Sequence, residues 1–372
     1  MSNPGDARKT IRISLRHAEG AKAAHYLTVV QGVTIQRAVP ITTDPLVIGR
    51  DESRSFYLAD ADVSRSHCEV RLAGEVVLVR DLGSTNGTFI DGVRVEGERA
   101  LSVSAHLQIG RHSLKHELLT PEDVERHRQF ASDLERARRY VEALIPAPKE
   151  HGVLRAEWFF VPSSILGGDA LGYHEVASGG FAIYVLDVCG HGVASAMHSA
   201  SVLSTLRNQT LANADFDDPS SVLSRLNDAF QMDEHNGMYF SLFYGVVDPE
   251  RQSLRYSSAG HPPAIVLGRD GSIRCRLAVK NPPIGSVAGR SFASAECAFE
   301  KGDRLYVFSD GVYEILDRDG RDRTFDDFER ELSTPTASRT SGESQRLYDA
   351  ARETAGAELL GDDFTMLIVT YA

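Results

Sequence analysis

In the C-terminal half of the chain, four aspartate motifs each stand beside glycine at the end of an apolar run, and they lie far apart. Gly167-Gly168-Asp169 follows Val161-Pro162. Asp187-Val188-Cys189-Gly190-His191-Gly192 follows the apolar residues 182–186. Ser309-Asp310-Gly311 follows residues 305–308, and Gly361-Asp362-Asp363 precedes residues 365–370. An apolar run that stops at Asp-Gly is a strand end, and a sheet whose strands stop at one edge gathers such residues from distant segments. Glycine beside them lets backbone approach closely. The chain is therefore constrained to a sheet-based fold that converges carboxylates. Carboxylates clustered without Cys or His partners favour the hard cations Mg2+ or Mn2+ over zinc. Two such ions about 3.5–4 Å apart can bridge a water, lower its pKa and polarise a phosphoryl group. Direct attack by that water needs no side-chain nucleophile, and the sequence has neither a Cys-x5-Arg signature nor a Gly-x-Ser-x-Gly elbow.

The apolar period changes twice along the 372 residues, a length that suits two domains. Residues 11–15, 26–30, 46–48, 68–72, 76–79 and 107–109 are short alternating runs punctuated by Gly, Asp and Asn, with no helical period. They predict an all-β sandwich over residues 1–118. His127, Phe130, Leu134, Ala137, Val141 and Leu144 then recur at helical spacing. This predicts an amphipathic linker helix within 119–148, opening near Pro121-Glu122-Asp123 and stopped by Pro146. At about three heptads the seam is too short for a long coiled coil. It either packs on its neighbouring domain or pairs two copies of the chain. Residues 149–372 read as α+β, with strands at 181–186, 240–247, 254–257, 304–308 and 365–370 and helices at 194–208, 221–231, 325–332 and 343–355. The Ser/Thr-rich stretch 333–344, with Thr334, Thr336 and Thr340, is a loop and a candidate for phosphorylation.

The β region carries its own constellation. Gly49-Arg50, then Ser64-Arg65-Ser66-His67, then Ser84-Thr85-Asn86-Gly87-Thr88 follow in order. A phosphate reader needs guanidinium groups for charge-assisted bonds, hydroxyls for the remaining oxygens and an amide to hold peptide main chain. Arg50, Ser64, Arg65, Thr85 and Asn86 supply those types. Over about residues 10–118 this order resembles the forkhead-associated (FHA) domain. The resemblance implies that Arg50, Ser64, Arg65 and Thr85 contact a phosphothreonine phosphate and that Asn86 bonds the peptide backbone. Gly49 and His67 would support these loops.

The C-terminal order GGD, DxxGHG, AGHPP (Ala259 to Pro263), SDGxxE (Ser309 to Glu314) and GDDxT (Gly361 to Thr365) resembles the metal-dependent PPM phosphatases, in their bacterial SpoIIE-like branch. The implied fold is an αββα sandwich of two sheets flanked by helices. The implied activity is hydrolysis of phosphoserine or phosphothreonine on a partner regulator, such as a phosphorylated anti-anti-sigma-like protein, with two Mn2+ or Mg2+ ions. By the same resemblance Asp187, the Val188 carbonyl, Asp310 and Asp362 hold metal. Asp169 contributes directly or through metal-bound water, and of the adjacent pair Asp362 is the better ligand, with Asp363 as its outer support. His191 either protonates the leaving serine oxygen or shapes its loop. Members of the family often carry GGDxxD; here Gly172 takes the place of the second acid, which puts a third, weaker metal site in question.

The formal net charge of −12 argues against nucleic acid as the main partner. The lack of a long apolar run argues against a membrane span. Met1 to Thr10 lacks the apolar core of a signal peptide, so a cytoplasmic location is expected. Cys68, Cys189, Cys275 and Cys297 form no CxxC pair and are expected as buried, reduced thiols. The segment from Asp317 mimics a calcium loop but has Asp322 where the sixth position requires Gly. Two rivals to the enzyme reading stand: a phosphopeptide-binding scaffold with a catalytically silent phosphatase fold, and a hydrolase of small phosphoesters, although no P-loop is present.

Overall fold

Short strands that bury alternate side chains build the N-terminal region. They are β1 (Ala24–Gln31), β2 (Ala38–Pro40), β3 (Leu46–Gly49), β4 (Phe56–Tyr57), β5 (Cys68–Ala73), β6 (Val76–Asp81), β7 (Thr88–Ile90), β8 (Val93–Arg94), β9 (Glu98–Leu101), β10 (His106–Ile109) and β11 (His112–Leu119). The computed structural model describes residues 22–31, 38–58, 60, 62–110, 112–190, 192–317, 320–333, 342–356 and 360–372. The strand expected at residues 11–15, His191, and Thr334, Thr336 and Thr340 lie outside the described residues. One sheet runs β2-β1-β11-β10-β7-β8 and the other β4-β3-β5-β6-β9. Their inward residues, among them Leu27, Ile48, Val70, Val79, Leu107 and Leu114, form one core, as in a β-sandwich. The loops between strands are thereby collected at the sandwich ends, where a binding site can sit on a rigid support.

Helix α1 (Pro121–Glu142) opens with a capping box. Thr120 accepts from the Asp123 amide, the Asp123 carboxylate accepts from the Thr120 amide, and Pro121 occupies the first turn. Of the six seam residues only Leu134 is buried, against Leu166 and Ala196 of the C-terminal half. Phe130 stays 48% exposed, and Ala137 is exposed as well. Leu144, just past the helix, packs partly buried on the C-terminal core, and the carbonyls of Ala143 and Leu144 accept from Arg207.

The C-terminal half continues with β12 (Leu154–Val161), β13 (Ala170–Glu175), β14 (Phe181–Val188), α2 (Val193–Arg207), α3 (Pro219–Ala229), β15 (Phe240–Asp248), β16 (Ser253–Ala259), β17 (Ala264–Leu267) and β18 (Ile273–Leu277). After these come β19 (Ala295–Ala298), β20 (Arg304–Phe308), α4 (Phe325–Ser333), α5 (Glu343–Ala355) and β21 (Phe364–Tyr371). Two sheets form, β12-β21-β20-β17-β18 and β13-β14-β15-β16-β19. Leu171, Val185 and Phe243 of one sheet share a core with Leu305, Val307 and Leu367 of the other, and Val202 and Leu223 add α2 and α3 to it. A second core joins Tyr306, Phe308, Phe364 and Met366 to Phe328 of α4 and Leu347 of α5. The layers are helix, sheet, sheet, helix, which is the expected αββα order. Strand β14 is buried on both faces because it lies between a helix layer and the other sheet.

One expectation is corrected. Cys275 and Cys297 form a disulfide, while Cys68 and Cys189 are free. Cys275 lies on β18 and Cys297 on β19, the edge strands of different sheets, and stacking the sheets brings together residues that no short spacing links. Among the described residues no helix is long and apolar enough to cross a membrane.

Candidate phosphate-reading loops and candidate metal centre

Strand register decides where the acidic residues meet. In the β13–β14 pair Ala170 faces Leu186, so Asp169, just before β13, is set beside Asp187 at the end of β14. In the β20–β21 pair Phe308 faces Met366, so the residues after β20 and before β21 are neighbours. Asp310 opens a short 3-10 turn there, and Asp362 and Asp363 lead into β21. The candidate centre therefore draws Asp169 and Asp187 from one sheet and Asp310, Asp362 and Asp363 from the other.

Gly168 makes the first join possible. A Cβ there would stand 2.8 Å from the Val188 carbonyl oxygen and 3.1 Å from that of Gly190, so only glycine lets the 167–169 turn lie against the 188–190 loop. Asp363, buried, makes the second join. One of its oxygens accepts from the Ser163 amide at 2.7 Å and the Ser163 hydroxyl at 2.8 Å. The other accepts from the Gly168 amide at 2.7 Å and the Asp169 amide at 3.2 Å. Both oxygens are occupied by protein donors, whereas Asp362 is exposed and, among the described residues, accepts only from the neighbouring Asp363 amide, at 2.8 Å. Asp169 is buried and takes a hydrogen bond from the Thr365 hydroxyl.

These carboxylates repel one another in a poorly solvated place. Burial, then the charges of Asp310 and Asp362, pushes Asp187 up to about 7. Burial, then Asp362 and Glu314, pushes Asp310 up to about 6. Burial, then Asp187 and Asp363, holds Asp169 well above the usual carboxylate range. Among the described residues none of the five is ion-paired to Lys, Arg or His. The cluster thus has hard oxygen donors and an uncompensated negative charge, the two properties that suit a divalent cation. Among the described residues no three acidic, His or Cys side chains already stand close enough to hold an ion. His261 is buried away from solvent and kept neutral, its pKa lowered to about 4 by burial, with Nδ1 donating to the Pro262 carbonyl. Sequence reasoning passed over Ser163, whose only signal is its place after Val161-Pro162. Ser309 and Thr365 lie inside the quoted motifs without an expected role; the Thr365 hydroxyl donates to Asp169, and the Ser309 hydroxyl donates to the Asp363 carbonyl at 3.2 Å.

The N-terminal loops converge as their order predicts. The Arg50 amide donates to the Ser64 carbonyl at 3.0 Å, and a Cβ at Gly49 would collide with the Arg65 carbonyl, so these loops lie in contact. The Thr85 amide donates to the Ser64 hydroxyl at 3.0 Å, and the Asn86 side-chain amide donates to the Asp62 carbonyl at 2.9 Å. His67, fully buried, accepts at Nδ1 from the Ser64 amide (3.1 Å) and donates from Nε2 to the Gly87 carbonyl (3.1 Å), tying the second loop to the third. Burial lowers its pKa, which keeps it the neutral linker this pattern requires. Asp81 braces the third loop by accepting from Gly83, Ser84 and Thr88. Arg50 and Arg65 are exposed and have no ion-pair partner among the described residues. The five residues expected to read phosphate are thus carried by three loops held together at one end of the sandwich.

Comparison with known proteins matches a different family to each half of the chain. The stage II sporulation protein E (SpoIIE) family model matches residues 177–372, and the FHA domain model matches residues 46–110. Phosphoserine phosphatase RsbP of Bacillus subtilis is 30% identical over 184 residues, covering 48% of this chain and 45% of RsbP. FHA domain-containing protein FhaB of Mycobacterium tuberculosis is 30% identical over 93 residues, covering 25% of this chain and 60% of FhaB. The chain thus spans less than two thirds of either relative. Among solved structures, the SiaA-PP2C domain of Pseudomonas aeruginosa superposes with a TM-score of 0.57 at 20% identity, covering 66% of this chain and 98% of that domain.

Proposed function

The chain belongs to the SpoIIE family, and from that premise we propose that its C-terminal half is a metal-dependent phosphatase acting on phosphoserine or phosphothreonine of a partner protein, while its FHA module binds phosphothreonine and so recruits or regulates the enzyme. The observation that carries this reading is the strand register that sets Asp169 and Asp187 of one sheet near Asp310, Asp362 and Asp363 of the other, with none of the five ion-paired to Lys, Arg or His among the described residues. In this reading Asp187, the Val188 carbonyl, Asp310 and Asp362 hold two Mn2+ or Mg2+ ions, and Asp169 supports them at the buried side. Bound ions of this kind lower the pKa of water and polarise a phosphoryl group. Asp363 acts through its four hydrogen bonds, holding the 163 and 168–169 segments so that Asp169 faces Asp187. Glycine at 168 leaves the Val188 carbonyl free to face the site. The substrate we propose is a phosphorylated regulatory protein; RsbP, the relative named above, is a phosphoserine phosphatase.

Two substitutions separate the halves. Asp310→Asn is expected to abolish Mn2+-dependent turnover of an aryl phosphate and leave phosphothreonine-peptide binding intact. Arg50→Ala is expected to do the reverse. Full Mn2+-dependent turnover in the Asp310 variant would overturn the metal assignment, and unchanged peptide binding in the Arg50 variant would overturn the phosphate assignment.

A further inference from the structure

Arg94 is absent from the residues assigned to phosphate above, yet it stands at the same loops. It ends β8, where it pairs across the hairpin with Phe89 of β7. Its guanidinium covers Gly87: a Cβ built there would lie 3.0 Å from Arg94 Nε and 3.3 Å from Nη2. Gly87 directly follows Asn86, the residue placed to hold peptide main chain, and its carbonyl is the one that His67 binds. The Arg94 side chain is exposed and has no ion-pair partner among the described residues. Asp81 braces the loop, Asp91 accepts from the His106 amide and Glu98 pairs with Arg71, while Glu96, exposed two residues on, forms no ion pair with Arg94 among the described residues. The loop cluster therefore presents three unneutralised guanidiniums, Arg50, Arg65 and Arg94. A phosphothreonine carries a charge of about −1.5 to −2 and is matched by two of them. The third remains over for another anion.

We infer that Arg94 reads a second negative charge, so that the module prefers phosphothreonine peptides with Asp or Glu among the residues that run past Asn86. This rests on the phosphothreonine reading above and specifies its ligand. Arg94 sets specificity; the phosphate itself stays with Arg50 and Arg65.

The test uses the full chain and fluorescence anisotropy with a phosphothreonine peptide of otherwise neutral sequence, in which a single Glu is moved through the three positions on either side. Glu on one side should tighten binding about threefold, the scale of one exposed charge pair. Arg94→Gln should erase that gain and leave affinity for the all-neutral peptide within about twofold, and Arg94→Glu should transfer the preference to Lys at the same positions. A flat Glu scan in the unsubstituted chain, or a scan unchanged by Arg94→Gln, overturns the inference and leaves the phosphothreonine reading standing. Loss of the all-neutral peptide in both variants overturns it too, since Arg94 would then serve phosphate or fold. If the unsubstituted chain binds no phosphothreonine peptide, the underlying reading falls first.

Discussion

Asp363 offers a sharp test, because its adjacency to Asp362 invites the assumption that both are ligands. The geometry separates them. Asp363→Asn keeps size and removes charge. The best an amide can do is turn its oxygen to the Gly168 and Asp169 amides and its NH2 to Ser163, whose hydroxyl can rotate to accept. The Ser163 amide then faces a donor and is left unpaired in a half-buried place, at about 1–3 kcal/mol. The surviving bonds lose charge assistance at about 1 kcal/mol each. The sum is about 3–5 kcal/mol, partly offset by the relief of repulsion on Asp169 and Asp187, so the unfolding midpoint of a domain of this size should fall by roughly 5–10 °C. Trp158 is the only tryptophan and sits on β12, paired with β21, so its fluorescence follows the C-terminal sandwich alone. Thermal unfolding in chelator should show the full loss for Asp363→Asn. Asp362→Asn should shift the midpoint by less than about 1 kcal/mol in equivalent terms, since it removes one bond of an exposed residue. An Asp363→Asn protein that matches the parent without metal and differs only in Mn2+ would refute the argument and make Asp363 a ligand.

His174 on β13 has both ring nitrogens buried without a hydrogen-bond partner among the described residues, packed among Tyr184, Phe216 and Tyr244, and burial lowers its pKa to about 4. Below about pH 6.5 the unfolded chain takes up a proton here that the folded one refuses, so stability falls as pH drops from about 6.5 toward 4. His174→Phe should therefore gain about 2 kcal/mol over the parent at pH 5 relative to pH 8, read from urea unfolding at Trp158; equal gains at both pH values would contradict this. Gly168→Ala pushes a methyl group to 2.8 Å from the Val188 carbonyl and should cut Mn2+-dependent turnover at least about tenfold with phosphopeptide affinity unchanged. A superimposable Mn2+ titration would show that the carbonyl does not matter.

Much of this layout is legible in sequence because its signals are local. An Asp at the border of an apolar run with Gly close by marks a strand end wherever it occurs, and Asp169, Asp187, Asp310 and Asp362 all stand at such borders. What could not be read depends on distant segments. The grip of Asp363 requires Ser163, 200 positions away, and no spacing rule connects them. The Cys275–Cys297 link follows from sheet stacking, so the expectation of four thiols failed there. The helical period of α1 placed its start correctly but ran past its end at Glu142, and periodicity cannot say what covers the seam: Leu134 is buried against Leu166 and Ala196, while Leu144, beyond the helix, packs partly buried on the C-terminal core. Strands of two residues such as β4 and β8 are shorter than any period, which is why Arg94 drew no notice.

The division of the acidic residues between two sheets also fixes when the centre can first exist. Asp362 and β21 are synthesised after every other element of the sandwich, and β21 is the strand between β12 and β20. A nascent chain that has already made β13 to β16 and both of their covering helices still lacks the strand that brings one sheet's carboxylates within reach of the other's. During translation the candidate centre stays incomplete until β21 pairs with β12 and β20, after the strands of the N-terminal sandwich have all been made.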